Sequence, residues 1–434
     1  MNYQETLLYL DSLGKFGIKL GMERIEGLLR ELGNPEQKIK TVHVTGTNGK
    51  GSVSSMIANI LRAANLKVGK FTSPHLVKYN ERIVTGGADI SDESFAALLT
   101  IVKRAADSIV VKGVCEQPTQ FEILTAAAFL HFALENVDYA VIEVGMGGLW
   151  DSTNVITPVV SVITNVSLDH TDRCGATVER IAMQKAGIIK ENVPVVTAAE
   201  GDDALGPIKA VAMFKQAKLY IYGRAFWGTE VESSMDEQTF TLHAGEYYSS
   251  DYTIKLPGEH QIANTSVAVV AAKLISKQDE RINELALHLG VSNTVWPGRL
   301  ERISQGPDVI LDGAHNPAGA AALRKALDKY YADQKRIFVF GMMGDKDMTN
   351  VIKTLIRPLD MVYAVRADSG DRAAAAEELA GLIGPQALAV DSVAAAYEAA
   401  VNEAGEDGVV CVCGSLYLGG SFKEMLAQTK AGCH

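Results

Sequence analysis

The stretch Thr41-Val42-His43-Val44-Thr45-Gly46-Thr47-Asn48-Gly49-Lys50-Gly51-Ser52 leaves this chain few choices. A β-branched run enters a glycine-rich turn, and a lysine, a hydroxyl and a helical pattern over Ser54–Ala64 follow. Glycines let a backbone fold so that its N–H groups converge on phosphate oxygens, and the next helix turns its positive end toward them. Lys50 adds a mobile charge able to follow the β- and γ-phosphates. The spelling departs from the common phosphate loop G-x-x-x-x-G-K-[ST]. Gly46 lies only three residues before Gly49, and Gly51 stands where a magnesium-binding Ser or Thr usually follows the lysine. The plainer alternative is a tight strand–helix turn with a surface lysine. The favoured reading is ATP binding, with a magnesium ligand supplied from elsewhere in the chain.

At 434 residues the chain exceeds what one hydrophobic core serves, so two domains are expected. A 47 % hydrophobic and 21 % charged composition excludes wholesale disorder. The net charge of −11, with no basic run, argues against nucleic acid or an anionic membrane as partner. Met1-Asn2-Tyr3-Gln4-Glu5 has no signal-peptide character, and no apolar run approaches a membrane span, so a cytoplasmic protein is expected. Cys115, Cys174, Cys411, Cys413 and Cys433 form no C-x-x-C pair. Cys411 and Cys413 alternate within a buried-looking strand, which favours core packing over metal binding.

Short, mostly β-branched runs recur at Val42–Thr45, Val68–Thr72, Tyr139–Val144, Val159–Asn165 and Val195–Thr197, with helical patterns such as Phe121–Glu135 between them. This alternation predicts a doubly wound α/β parallel sheet binding ligands at the carboxyl ends of its strands. Residues 219–256 alternate Tyr, Phe, Thr and Ser with polar residues and predict an antiparallel flap at the edge of the first domain. Trp296-Pro297-Gly298-Arg299 reads as a break. Domains are therefore expected over residues 1–296, an ATPase, and 297–434, a smaller Rossmann-like domain with strands at Val309–Leu311, Ile337–Gly341, Met361–Val365, Ala387–Val390 and Val409–Cys413.

Several clusters carry chemistry beyond the loop. Glu143 ends an apolar strand and is followed by Gly145, Gly147 and Gly148, which allow close approach of a ligand. A carboxylate there sits where magnesium needs a hard oxygen. His170, in Leu168-Asp169-His170, lies just past the next strand on the same rim, as a metal or phosphate ligand or as an ordinary surface histidine. Ser73, in Thr72-Ser73-Pro74-His75, could supply the hydroxyl that Gly51 cannot. Lys185 in Gln184-Lys185-Ala186-Gly187 has nothing in its periodicity to distinguish it from a solvated lysine. Leu311-Asp312-Gly313-Ala314-His315-Asn316-Pro317 combines a strand-end carboxylate able to bind a ribose with an Asn–Pro helix start.

VTGTNGKGS, TSPHL with NERI, EVGMGG…DSTN, LDH, KAGIIK, HQIAN, PGRLE, LDGAHNP and GSLYL, in this order, resemble the folylpolyglutamate synthase and dihydrofolate synthase branch of the Mur ligase superfamily. The resemblance spans nearly the whole chain and implies a large ATPase domain followed by a smaller Rossmann-like domain. It implies that Gly49, Lys50, Gly51 and Ser52 wrap the phosphates, that Ser73 and Glu143 ligate one magnesium ion, and that His170 helps hold a second. Lys185 matches a position carbamylated in this family. Asn264, Arg299 and Asp312 match nucleotide contacts, and His315 and Ser415 match residues facing the incoming glutamate. Arg82, in NERI, matches a substrate-binding position, and Phe121 lies where relatives bind the pterin, with plain helix packing as its alternative. Relatives read G-G-R-x-D-A-T-N where this chain has Gly147-Gly148-Leu149-Trp150-Asp151-Ser152-Thr153-Asn154, so the arginine is missing.

The implied activity is ATP-dependent addition of L-glutamate to the terminal carboxylate of a folate through an acyl phosphate, by a monomer. Dihydropteroate as acceptor, alone or as a second substrate, is the alternative within the family. An ATP-driven switch protein without ligase activity is the alternative outside it, and it leaves LDGAHNP without a purpose.

Overall fold

The computed structural model describes residues 1–14, 21–368, 370 and 372–431, so Cys433 lies outside the described residues. The chain divides into two units. The first comprises Met1–Thr229, Thr241–Thr253 and Ala263–Thr294; the second comprises Glu230–Phe240, Ile254–Ile262 and the chain from Val295 onward.

The first unit is built on β1 (Thr41–Thr45), β2 (Val68–Phe71), β3 (Ile83–Thr85), β4 (Ala88–Asp89), β5 (Tyr139–Glu143), β6 (Val160–Ile163), β7 (Val195–Thr197) and β8 (Leu219–Ile221). They form one sheet in the order β4-β3-β2-β5-β1-β6-β7-β8. The pairs from β2 through β8 are parallel, while β3 and β4 run antiparallel at the edge. β1 lies between β5 and β6, so the winding reverses there, and ligands gather at the carboxyl ends of strands beside such a reversal. β1 and β5 are buried at every residue, β1 even at Thr41, His43 and Thr45. One face packs Phe71, Phe95, Phe129, Phe132 and Ile142 into a single cluster; Val144, Ile163, Ala182, Ile188 and Val195 belong to another.

The 219–256 region is not wholly a flap. Leu219–Ile221 pairs in parallel with β7 and completes the main sheet. Only β9 (Phe226–Ser233), β10 (Gln238–Ala244) and β11 (Tyr248–Ile254) form a small sheet of their own.

In the second unit β12 (Glu301–Ser304), β13 (Asp308–Leu311), β14 (Arg336–Phe340), β15 (Met361–Ala364), β16 (Ala387–Ala389) and β17 (Val409–Cys413) form a sheet in the order β12-β13-β17-β14-β15-β16. All pairs are parallel except β12 with β13. The period of two is visible along β14: Phe338 and Phe340 enter one core, Ile337 and Val339 the other. Cys411 and Cys413 are buried thiols of β17. Beneath this sheet Arg324 bonds Asp360 at 2.7 Å and the Leu355 carbonyl at 3.2 Å, with both charged side chains almost wholly buried. Truncating one partner leaves the other charge dry. Arg324→Met is therefore expected to cost about 3 kcal/mol, read by urea denaturation, and a loss below about 1 kcal/mol would show that Arg336 takes over its role.

Candidate functional site

The phosphate loop is held open by its neighbours. Gly49 caps the helix Lys50–Ala63 at φ 81°, and a Cβ there would fall 2.6 Å from Oδ1 of Asn264, so only glycine serves. This brings Asn264, of the helix Glu259–Ser276, directly against the loop. Lys50 folds its ammonium back onto the carbonyls of Gly46 and Thr47, at 3.0 Å each. The hydroxyl of Ser52 is buried without a hydrogen-bond partner among the described residues, an unfilled polar atom at the loop's helix start.

The segment after β6 latches onto the same loop. Asn165 accepts the N–H of Thr47 on its carbonyl at 3.0 Å and the N–H of Asn48 on its side chain at 2.9 Å. The Thr164 hydroxyl donates to the Asn48 carbonyl at 2.5 Å. Thr47 and Ser167 exchange a further pair, at 3.1 and 3.0 Å. Neither Thr164 nor Asn165 stands out in the sequence, because their partners lie more than a hundred residues away; a polar Thr–Asn pair ending an apolar strand is the signal they leave. Thr164→Val deletes one partly buried hydrogen bond and is expected to raise the KM for ATP about fivefold, with Thr164→Ser near the parent. Equal values for both would show that the latch does not shape the loop.

Glu143 ends β5 in register with Val44, which precedes the phosphate loop by two residues. Its carboxylate is buried and accepts the Ser73 N–H at 3.1 Å, which joins two candidate metal ligands. His170 begins the short helix Thr171–Cys174 in a left-handed conformation, φ 49°, with its ring largely exposed beside Asp169. Lys185, in the last turn of the helix Val178–Ala186, is 4 % exposed. Burial first, then the neighbouring Lys50 charge, push its amine down to about 7. Among the described residues no cluster of three or more His, Cys, Asp or Glu could by itself hold a metal. Magnesium does not require one, since it usually takes one or two protein oxygens and completes its shell with phosphates and water. The buried Glu143 carboxylate fits that donor set, and the Ser52 hydroxyl at the loop's helix start is a further oxygen without a hydrogen-bond partner among the described residues.

The loops that could meet an organic acid are equally tied. Arg82 donates from Nε to Nδ1 of His75 at 2.9 Å and lies over the Tyr79 ring. The His75 imidazole is pushed down to about 3, by burial and then by Arg82, so it stays a neutral acceptor. Glu81 accepts the N–H groups of Leu76, Val77 and Lys78, which explains why TSPHL and NERI occur together. Phe121 is half-buried with its ring over Gly145, where a Cβ would come within 2.5 Å, and it packs on Phe71 at 5.9 Å. These contacts pack the ring within the fold, and what remains exposed borders the glycine loop after Glu143. Asp151 pins that loop by accepting the Met146 N–H at 2.9 Å. Leu149, in place of the arginine, gives its N–H to the Gln184 carbonyl and rests on Gly187, while Trp150 is 48 % exposed.

In the second unit the expected residues converge on Gly313. The Arg299 guanidinium lies against it, and the His315 ring nitrogen Nδ1 donates to its carbonyl at 2.8 Å. Asp312 accepts the N–H groups of Leu300 and Ala314 at 2.9 and 2.8 Å, so its carboxylate also builds the loop. Asn316 caps the helix Pro317–Tyr330 as expected. Ser415 is buried, and its hydroxyl accepts the Tyr417 N–H at 3.1 Å.

Residues 44–272 match the Mur ligase middle domain and residues 298–416 the Mur ligase glutamate ligase domain. The chain is 36 % identical to the folylpolyglutamate synthase of Lacticaseibacillus casei, over 99 % of this chain and 100 % of that protein. It is 39 % identical to the dihydrofolate synthase/folylpolyglutamate synthase of Bacillus subtilis, over 81 % and 82 %. Among solved structures, the Mycobacterium tuberculosis folylpolyglutamate synthase complexed with ADP superposes with a TM-score of 0.90 at 30 % identity, over 98 % of this chain and 99 % of that one.

Proposed function

The chain belongs to the Mur ligase family, in its folylpolyglutamate synthase and dihydrofolate synthase branch, and from that premise we propose how its residues share the work of one reaction. It is an ATP-dependent ligase that joins L-glutamate to a folate. A carboxylate is a poor acyl donor because its leaving group would be oxide. Transfer of the γ-phosphoryl group to a carboxylate oxygen releases ADP and makes an acyl phosphate. The neutral amine of glutamate then attacks the acyl carbon, the tetrahedral intermediate expels phosphate, and the amine proton passes to solvent.

Gly49, Gly51 and Ser52 cradle the phosphates, and Lys50 leaves its carbonyl partners to follow the moving phosphoryl charge. Glu143, Ser73 and His170 would hold magnesium, which neutralises charge on the transferring group. Two ions fit that donor set, with carbamylated Lys185 serving the second. Asn264, Arg299 and Asp312 contact the nucleotide. Arg82 offers a cation to the acid substrate, Phe121 borders its ring system, and His315 and Ser415 receive glutamate. Reduced folate is the proposed acceptor, with dihydropteroate as a second candidate that the name of the Bacillus relative favours. The observation that carries this reading is the buried Glu143 carboxylate, in register with β1 just before the phosphate loop and bonded to Ser73.

The test is phosphate release from Mg-ATP with L-glutamate, offering dihydropteroate and a reduced folate monoglutamate separately. Release with the folate alone assigns a folylpolyglutamate synthase, and release with both assigns a bifunctional enzyme. Release with neither, from folded protein that binds ATP, would overturn the folate reading.

A further inference from the structure

β2 reads Val68-Gly69-Lys70-Phe71, and its lysine is out of place. The strand is interior, paired with β5 on one side and β3 on the other, where apolar residues belong. Lys70 is in register with Val141 of β5. Residues in register share a face of the sheet, as do residues two apart on one strand, so Lys70 and Glu143 project to the same side. That side is covered by the phosphate-loop helix, since the Lys70 ammonium donates to the Ser55 hydroxyl of Lys50–Ala63 at 3.0 Å. The charged groups acting on it are Glu143, Asp89 of β4 and Arg62 of the same helix. Burial pushes the ammonium down to about 8, so it still carries its charge at neutral pH. A half-buried, desolvated cation is costly and an apolar side chain of its length would pack better, yet the reaction steps above leave this one idle.

We infer that Lys70 is a fixed counter-charge to Glu143 that holds down the intrinsic metal affinity of the phosphate-loop site, so that magnesium arrives and leaves with the nucleotide. The inference rests on Glu143 being a metal ligand. A cation fixed near a carboxylate satisfies part of its field, and a divalent ion arriving there meets the repulsion of that cation. The nucleotide's phosphates supply the missing negative charge, so metal and nucleotide bind well only together. Lys70 acts through Glu143 and is a positioning residue; it has no part in bond making.

The experiment counts free Mn2+ by electron paramagnetic resonance while the metal is titrated into the protein, without nucleotide and with saturating ADP. Lys70→Met keeps length and apolar bulk and removes the charge, whereas Lys70→Arg keeps the charge. Lys70→Met is expected to bind Mn2+ about tenfold tighter without nucleotide, with a smaller gain when ADP is present. Lys70→Arg should match the parent; if thermal melting shows it unfolded, Lys70→Met decides alone. Unchanged or weaker Mn2+ binding by folded Lys70→Met overturns the inference, the weaker case meaning that the lysine orients Glu143 for the metal. Glu143→Gln separates the two levels of the argument. If it binds Mn2+ as the parent does, the metal is not at Glu143 and the underlying site reading fails. If it loses the metal while Lys70→Met shifts nothing, only the counter-charge role falls.

Discussion

Lys50→Ala is expected to lower ATP-dependent ligation about a thousandfold while leaving the unfolding transition unchanged. The ammonium donates to two carbonyls of its own loop, and water can replace both. Its contribution arises when negative charge moves from ATP toward the acceptor carboxylate, because a mobile ammonium can follow that charge. Most of the effect should therefore appear in kcat, with a smaller effect on nucleotide affinity. Steady-state phosphate release, paired with binding of a fluorescent nucleotide, separates the two. Near-normal turnover would remove Lys50 from the phosphoryl-transfer site and return the loop to a merely structural turn.

The second large effect concerns Lys185. Its amine is held near neutrality by burial and then by Lys50, so at pH 7 to 8 much of it is the neutral form that can add carbon dioxide. The nitrogen of that neutral amine would bond the carbon and lose one proton to solvent, giving an anionic carbamate. Such a carbamate would attract Lys50 and would supply an oxygen ligand to a second metal ion. Lys185→Met is expected to lower ligation by about two to three orders of magnitude. Parent protein given labelled bicarbonate should show a carbamate carbon resonance, absent in Lys185→Met. Ligation should fall as pH drops below about 7, where the amine is protonated and the carbamate is lost. The unmodified lysine also leaves a mark on stability. Its folded value lies below the unfolded one of about 10.4, so the unfolded chain binds more protons between them. Its destabilising cost is full below about pH 7 and fades as pH rises toward the unfolded value, a rise that Lys185→Met should lack. A pH-independent difference between the two proteins, with no labelled carbamate, would leave Lys185 as a buried cation with no chemical role.

What the sequence makes legible follows from how local each cause is. β17 shows itself because five consecutive buried residues are all Val or Cys, and Asn316-Pro317 shows itself because a cap and a helix start are neighbours. β12, spelled Glu301-Arg302-Ile303-Ser304, is a polar edge strand with no period to read, and Leu219–Ile221 is too short to distinguish from the flap that follows it. The phosphate loop and Glu143 are legible because turn glycines and strand-end carboxylates have few other uses. The burial of Lys185 is not, since it depends on packing against the distant loop at Gly148. Nor is the latch from Thr164 and Asn165, whose partners Thr47 and Asn48 are assembled only by the pairing of β1 with β6. Arg82 is legible as part of a motif, while its setting, held by His75 and Tyr79, emerges only in three dimensions.

The central claim is that the bond to glutamate forms through an acyl phosphate, and oxygen-18 in the acceptor's terminal carboxylate tests it directly. The account predicts that one labelled oxygen appears in inorganic phosphate for each amide formed, and none in ADP. Unlabelled phosphate accompanying full amide formation would mean that ATP is hydrolysed by water, and the mechanism argued from Lys50, Glu143 and Ser73 would be contradicted.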